Sequence, residues 1–256
     1  MKSIFKSRAS GSGSIMTNPQ GKSISEKIND LQESIKSAEL RISEAKNKEA
    51  KTFVELRDVK IPAYKKEIEH LTPLLHLPHL SGTTKTFVYD WLKEHIYGVK
   101  KIIKTKYTDK GLTYENTAID KAIEWLDLQF FLKNESFFED DYFTGTPDLI
   151  TEDRIYDIKC SWDCFTFPLF ETEIPTDDYF YQLQVYMHLT GKKKATLVYV
   201  LLNTPEEMHW EPQHNYDALD KKYRIKTFDI VYDASVIEDL QNRVIKIREF
   251  IQTLKY

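Results

Sequence analysis

From residue 24 onward, apolar positions recur at alternating steps of four and three: Ile24, Ile28, Leu31, Ile35, Ala38, Ile42 and Ala45. This spacing is an a/d seam on a long helix, with Glu, Lys, Asp and Gln filling the other positions. No glycine or proline interrupts it before Pro62, so the pattern predicts one helix over about 24–60, with a second, shorter one in KKEIEHLTPLL. An apolar seam left in water is unfavourable. It must bury itself against its own second helix, another subunit or a partner. Residues 23–79 therefore read as a helical coiled-coil insertion that carries no obvious chemistry. His76 and His79 flank Pro78, which disfavours a regular helix there, so they read as surface histidines.

The pattern changes on both sides of this block. Residues 1–22 are rich in Ser, Gly and Lys and read as an arm or loop. Residues 80–256 read as one α/β unit. SGTTKTFVYDWLKEHIYG and KGLTYENTAIDKAIEWLDLQF carry helical spacing, the second with Tyr114, Ala118 and Trp125 on one face. Short strand-like runs follow in SFFEDDYFTG, PDLIT and RIYDIKC. DDYFYQLQVYMHLTG reads as a helix closed by Gly191. ATLVYVLLN is apolar throughout and reads as a buried central strand, TFDIVYD as an edge strand, and ASVIEDLQNRVIKIREFIQTL as a C-terminal helix. The predicted architecture is a mixed central sheet flanked by helices.

Composition narrows the class without naming a chemistry. A hydrophobic content of 41% and an aromatic content of 13% suit a folded globular chain and are too high for disorder. No apolar run approaches the roughly 20 residues that span a bilayer, and the basic start MKSIFKSRASGSG lacks the apolar core of a secretory signal. Two cysteines, Cys160 and Cys164, fit a reducing cytoplasm and are too few for an iron–sulfur cluster. The formal net charge is −4, against the basic footprint usual in DNA-binding proteins. Basic residues cluster locally, in KSIFKSR, in 99–106, at Lys192, Lys193 and Lys194, and in 221–226. These clusters are the candidate phosphate contacts.

Candidate chemistry gathers in GTPDLITEDRIYDIK, residues 145–159. Residues two apart on a strand point the same way, so Asp157 and Lys159 share one face while Tyr156, Ile158 and Cys160 share the other. Antiparallel pairing through the TED turn would set Asp148 beside Asp157. Two carboxylates that close repel unless a cation lies between them. Mg²⁺ or Mn²⁺, a hard oxygen-seeking ion, would satisfy them and leave coordination sites for water and a phosphate oxygen. A neighbouring lysine could stabilise hydroxide or developing phosphate charge, the set that metal-assisted phosphodiester hydrolysis needs. A D-x-K triplet alone is weak, because charged hairpins are common and usually solvated. Glu115 adds a third acid upstream. Downstream, Gln182 and Tyr186 lie one helical turn apart on one face, with Gln184 facing elsewhere in a regular helix.

In order, Lys110-Gly111-Leu112-Thr113-Tyr114-Glu115, Thr146-Pro147-Asp148, Asp157-Ile158-Lys159-Cys160 and Gln182-Leu183-Gln184 resemble the motifs of the PD-(D/E)XK nuclease superfamily. The closer likeness is to the lambda-exonuclease/YqaJ-like viral recombinases. It covers about 80–256 and includes the N-terminal SRASGSGSIMTNP, with Ser10 as the matching serine. The resemblance implies a PD-(D/E)XK (restriction-endonuclease-like) core. It implies a two-metal, 5′-to-3′ exonuclease on double-stranded DNA that works beside a single-strand annealing protein, in the cytoplasm of a bacterial host if phage-encoded. It further implies that Asp148 and Asp157, with the Ile158 carbonyl, ligate metal and that Glu115 binds a second ion. Lys159 would orient the attacking water and Gln184 would lie near the attacking group. Asp157 stands where relatives often carry Glu. The arginine that binds the 5′-phosphate in relatives lies farther ahead of the serine than Arg8 does, and Arg8 is the candidate in its place. Lys192, Lys193, Lys194, Gln182 and Tyr186 complete the candidate DNA contacts, and a homo-oligomer is compatible with the seam. Competing readings are a structure-specific endonuclease, a RecB-like repair nuclease, and a catalytically silent DNA-binding or assembly protein.

Overall fold

The computed structural model describes residues 4–103, 105–128, 132–204 and 214–255, so Lys104 of the second basic cluster lies outside them. The described residues divide into two compact units, 1–17 with 83–245 and 18–82 with 246–256.

The first unit is built on a four-stranded mixed sheet of β4 (Leu149–Ile150), β5 (Ile155–Ser161), β6 (Lys194–Leu201) and β7 (Ile225–Val231), in that order. β4 runs antiparallel to β5, β5 parallel to β6, and β6 antiparallel to β7. The mostly apolar β6 is buried from Ala195 to Leu201, as a central strand covered on both faces must be. β7 alternates buried Phe228 and Ile230 with exposed neighbours, the pattern of a half-covered edge.

One face of this sheet is covered by helix α6 (Lys106–Trp125), whose Ala118, Ile119 and Ala122 pack against Ile158, Val198 and Val200. The helix begins earlier than KGL, because Thr105 caps it: its hydroxyl accepts from the Thr108 amide while the Thr108 hydroxyl accepts from the Thr105 amide. Helix α7 (Asp177–Thr190) is capped by Thr176 and closed by Gly191 in the left-handed region at φ 73°. It buries Leu183, Val185 and Met187 completely.

The N-terminal residues expected as a loop are ordered against α7. β1 (Ser7–Arg8) pairs in parallel with β3 (Phe143–Gly145), and β2 (Phe138–Glu139) pairs with β3 from the other side. The short helix α1 (Ser12–Met16) then lies so close to α7 that a Cβ on Gly13 would come within 2.7 Å of the Asp178 Cα. Helix α5 (Gly82–Tyr97) and helix α8 (Ala234–Thr253) complete the chain order.

The second unit departs from the single predicted helix. Helix α2 (Ile24–Glu44) is opened by a capping box between Ser23 and Glu26 and ends where Ala45 turns extended. No glycine or proline is needed for the break. The Asn47 side chain accepts from the Glu49 amide, a local turn that competes with the helix. A second helical run follows as α3 (Lys51–Glu55), a π-turn at Leu56–Lys60 and α4 (Ile61–Leu71). It continues through Pro62, whose missing N–H is tolerated at the start of α4. Leu56 and Ile61 bury against Ala38, with Ile35, Ile42 and Phe53 around them. The seam thus covers itself with its own second helix. His76 and His79 are exposed, as expected.

Replacing Gly13 with alanine should destabilise the protein by about 1–3 kcal/mol, the usual range for overpacking, since a helix backbone cannot yield as a side chain can. Equilibrium urea unfolding of Gly13→Ala against wild type measures it.

Candidate active site

β4 and β5 form the hairpin read from the sequence, with Leu149 opposite Tyr156 and Ile150 opposite Ile155. That register brings Asp148 to the level of Asp157. The Asp148 Oδ2 accepts a 2.7 Å hydrogen bond from the Ile158 amide, so the acid is tied to the strand that carries its partner. Strand alternation sends Tyr156, Ile158 and Cys160 into the core beneath α6 and leaves Asp157 and Lys159 on the opposite face.

Asp157 is buried, at 1% exposure. Lys159 Nζ stands 2.8 Å from its Oδ2, yet that oxygen accepts no aligned hydrogen bond. Gln182 bridges the pair: its Nε2 donates to Asp157 Oδ1 at 3.3 Å and to the Tyr186 hydroxyl at 3.1 Å, while its Oε1 accepts from Lys159 at 3.4 Å. The Lys159 ammonium also lies 4.7 Å from the centre of the Tyr179 ring.

Burial pulls the Lys159 pKa down, but the Asp157 carboxylate 2.8 Å away, with Asp148 behind it, outweighs this and raises the value above the usual range. Lys159 is therefore a fixed cation. Asp148 moves the other way for a carboxylic acid. Burial first, then the Asp157 charge, push it up to about 7, against the opposing Ile158 amide and Lys159. Burial also raises the Tyr186 phenol well above its ordinary value, which keeps it a neutral hydroxyl.

These side chains line a cleft of about 720 Å³ that also takes in Glu115, Ser161, Tyr179 and Tyr199. Glu115 reaches the cleft from α6 but is held by an ion pair with Lys133, whose ammonium also donates to Asn116 at 3.0 Å. The Glu115 contact, the largest cause, raises the Lys133 pKa despite partial desolvation. Among the described residues, no three His, Cys, Asp or Glu side chains converge closely enough to form a ready metal cage. The donors that do fit a hard divalent ion are the Asp148 carboxylate and the buried Asp157 Oδ2, which lacks an aligned donor.

Other candidates are placed elsewhere. Gln184 is fully buried, and both ends of its amide are occupied at the junction of β7 and α8: Nε2 donates to the Val231 carbonyl and Oε1 accepts from the Asp233 amide, each at 2.8 Å. It does not line the cleft, and Gln182 takes the position beside Lys159. Lys192 donates to the Glu152 carbonyl, Lys193 sits 3.9 Å from the Tyr232 ring centre, and Lys194 opens β6. Because Lys159 pairs with Tyr199, Lys194 lies five residues, roughly 16 Å of strand, back from the site. In the 221–226 cluster, Lys221 donates to the Trp125 carbonyl and Arg224 to the Leu201 carbonyl, uses that hold the fold together. Lys101 is paired with Asp90. Arg8 is exposed and paired with Glu94 at 3.5 Å. Ser10 is exposed on the 3₁₀ turn Ala9–Gly11 and, like Arg8, lies outside the cleft lining. That turn still approaches the site, since a Cβ on Gly145 would meet the Tyr186 ring at 2.6 Å and the Ala9 Cβ at 3.2 Å.

Sequence reasoning missed Lys133, Tyr179 and the role of Lys110. Tyr179 could have been found, being three residues before Gln182 on one helix face. Lys110 is completely buried and donates to the carbonyls of Trp162 and Leu202 and to the Thr204 hydroxyl at 2.7–2.8 Å, pinning α6 to the ends of β5 and β6. Burial lowers its pKa.

No protein-family model matches this sequence, and no curated protein does. Solved structures do. A phage-related exonuclease from Haemophilus somnus 129PT is similar over 97% of this chain and 94% of its own, with a TM-score of 0.65 and 22% identity. An alkaline exonuclease, LHK-Exo from Laribacter hongkongensis, is similar over 67% of this chain and 84% of its own, with a TM-score of 0.50 and 16% identity. LHK-Exo in complex with dAMP gives a TM-score of 0.51 at 17% identity over the same share of this chain. The chain therefore has the fold of the phage-type and alkaline exonucleases, the structural class that its motifs resemble. No helix among the described residues is long and apolar enough to cross a membrane.

The raised Asp148 pKa fixes the sign of a pH effect. A carboxyl harder to ionise when folded adds stability that is fully present below about 4 and is lost as pH rises through about 7. In metal-free protein, Asp148→Asn should melt at a similar temperature to wild type at pH 4 and at a higher one at pH 8. Thermal unfolding in a chelator across that range checks it; a constant difference between the two proteins would contradict the assignment.

Proposed function

We propose that this protein is a metal-dependent deoxyribonuclease that degrades linear double-stranded DNA from its ends, 5′ to 3′, using Mg²⁺ or Mn²⁺ and two ions in the full assembly. The observation that carries this reading is the pair Asp148 and Asp157, whose buried Oδ2 lacks an aligned donor, beside a permanently cationic Lys159 in an open cleft. The exonuclease fold supports it, and direction and substrate follow from the motif resemblance.

The residues divide the work as their chemistry dictates. Asp148, Asp157 and the Ile158 carbonyl would hold one ion, and Glu115 a second once Lys133 releases it. Bound divalent ions supply neutralisation of phosphate charge and an acidified water. Asp148 must give up its proton before it can ligate, so binding near neutral pH releases protons. Lys159 cannot serve as a general base because its pKa is raised; its N–H groups orient the attacking water or a phosphate oxygen. Gln182 fixes Lys159 relative to Asp157, and Tyr186 fixes Gln182. The helical pair at 24–71, in a compact unit apart from that of the cleft residues, is assigned to assembly, with a second copy or a single-strand annealing protein as its partner.

Incubation with end-labelled linear duplex and with closed circular duplex, with and without Mg²⁺, tests the reading. Digestion of the linear DNA alone, stopped by a chelator, is the expected result. Nicking of the circle would point to an endonuclease, and no cleavage to a binding protein. Lys159→Ala should lower the rate by on the order of 10²–10³-fold with the fold intact. Near-normal turnover in that variant would remove Lys159 from the chemistry.

A further inference from the structure

The catalytic face of β5 does not stop at Lys159. By strand alternation Ser161 points the same way as Asp157 and Lys159, while Tyr156, Ile158 and Cys160 lie in the core beneath α6. Ser161 is 5% exposed and lines the same cleft as the carboxylates. Its Oγ is buried without a hydrogen-bond partner, one of only two such side-chain atoms among the described residues; the other is Asp157 Oδ2. Buried hydroxyls are nearly always paired, because an unpaired one has given up water for nothing. Lys110, bound at the end of the same strand, has all three of its donors taken by Trp162, Leu202 and Thr204.

Both atoms lie on one strand face, either side of Lys159; Asp157 Oδ2 is ion-paired with Lys159, whereas Ser161 Oγ has no polar partner. Two residues of strand separate Lys159 from Ser161 by about 6.6 Å, the scale of the spacing between successive phosphates along a DNA strand. We propose that Ser161 donates its hydroxyl to the phosphate next to the scissile one, so that the cleaved strand runs along β5 from Asp157 towards Ser161. Its hydroxyl, now buried, would turn into the cleft by rotation about the one side-chain bond. Serine-to-phosphate bonds position a nucleic acid without reading its sequence, which suits an enzyme that must pass every base. This subsite rests on the nuclease reading and adds to it the register of the bound strand.

Ser161→Ala removes a donor that has no partner in the free protein, so its Tm should match or exceed that of wild type. On linear duplex its kcat/KM should fall about 10- to 100-fold, the range for a hydrogen bond to a charged group. Duplexes carrying a single methylphosphonate at either phosphate flanking the cleavage site then locate the contact. Wild type should be slowed by one of the two, and Ser161→Ala should lose little further with that duplex. Wild-type kcat/KM in Ser161→Ala, a lowered Tm, or losses that simply multiply at both flanking phosphates would overturn the subsite. If wild type cleaves no duplex with Mg²⁺ or Mn²⁺, the nuclease reading itself fails and the subsite falls with it.

Discussion

Two carboxylates held side by side against the edge of a buried sheet are the constraint from which the rest of the site follows. Asp148 and Asp157 arrive together because a hairpin register leaves them no alternative, and the Ile158 amide anchors one to the strand of the other. Burial first, and then the neighbouring Asp157 charge, push Asp148 up to about 7. A structure does not keep such a pair for stability. Lys159 stands 2.8 Å from Asp157 Oδ2 and offsets part of the paired negative charge.

The surrounding scaffold restricts how the pair can relax. β6 is buried along its length beside β5, so the strand carrying Asp157 and Lys159 cannot shift without moving the core. Lys110 ties α6 to the ends of β5 and β6, and with it the helix that presents Glu115. Gln184, expected in the chemistry, instead fastens α7 to the turn after β7. Its neighbour on the opposite helix face, Gln182, is thereby aimed at Lys159. Two glutamines separated by one residue serve two ends: one makes the site, the other holds it still.

The acidic overall balance bears on the proposed nucleic-acid substrate through the placement of the basic residues. Among the described basic residues of the named clusters, Arg224 and Lys221 hold the fold and Lys194 stands back from the cleft, while Ile103 of the 99–106 segment lines it. Positive charge at the cleft comes from single lysines with carboxylate partners, Lys159 and Lys133. Such partners are what bound cations and phosphates would compete for. The 24–71 helices, by contrast, satisfy most of their seam internally through Ala38, Leu56 and Ile61.

The sequence by itself determined what depends on near neighbours. Period two placed Asp157 and Lys159 on one face, an unbroken apolar run marked β6 as central, and helical spacing set Gln182 beside Tyr186. Register through a short turn brought in Asp148. Tertiary structure alone decided what depends on residues far apart in the chain. Gln184 meets Val231 and Asp233, Lys110 meets Leu202 and Thr204, Glu115 meets Lys133, and the Ser161 hydroxyl meets no hydrogen-bond partner. Even the end of the first long helix was settled by a turn at Asn47 and by packing of the returning helix, against a local pattern that favoured continuing. Periodicity reports which way a side chain leaves its own element. Only packing between elements decides what it finds there, and hence whether a polar group is used for structure, used for chemistry, or left waiting for a ligand.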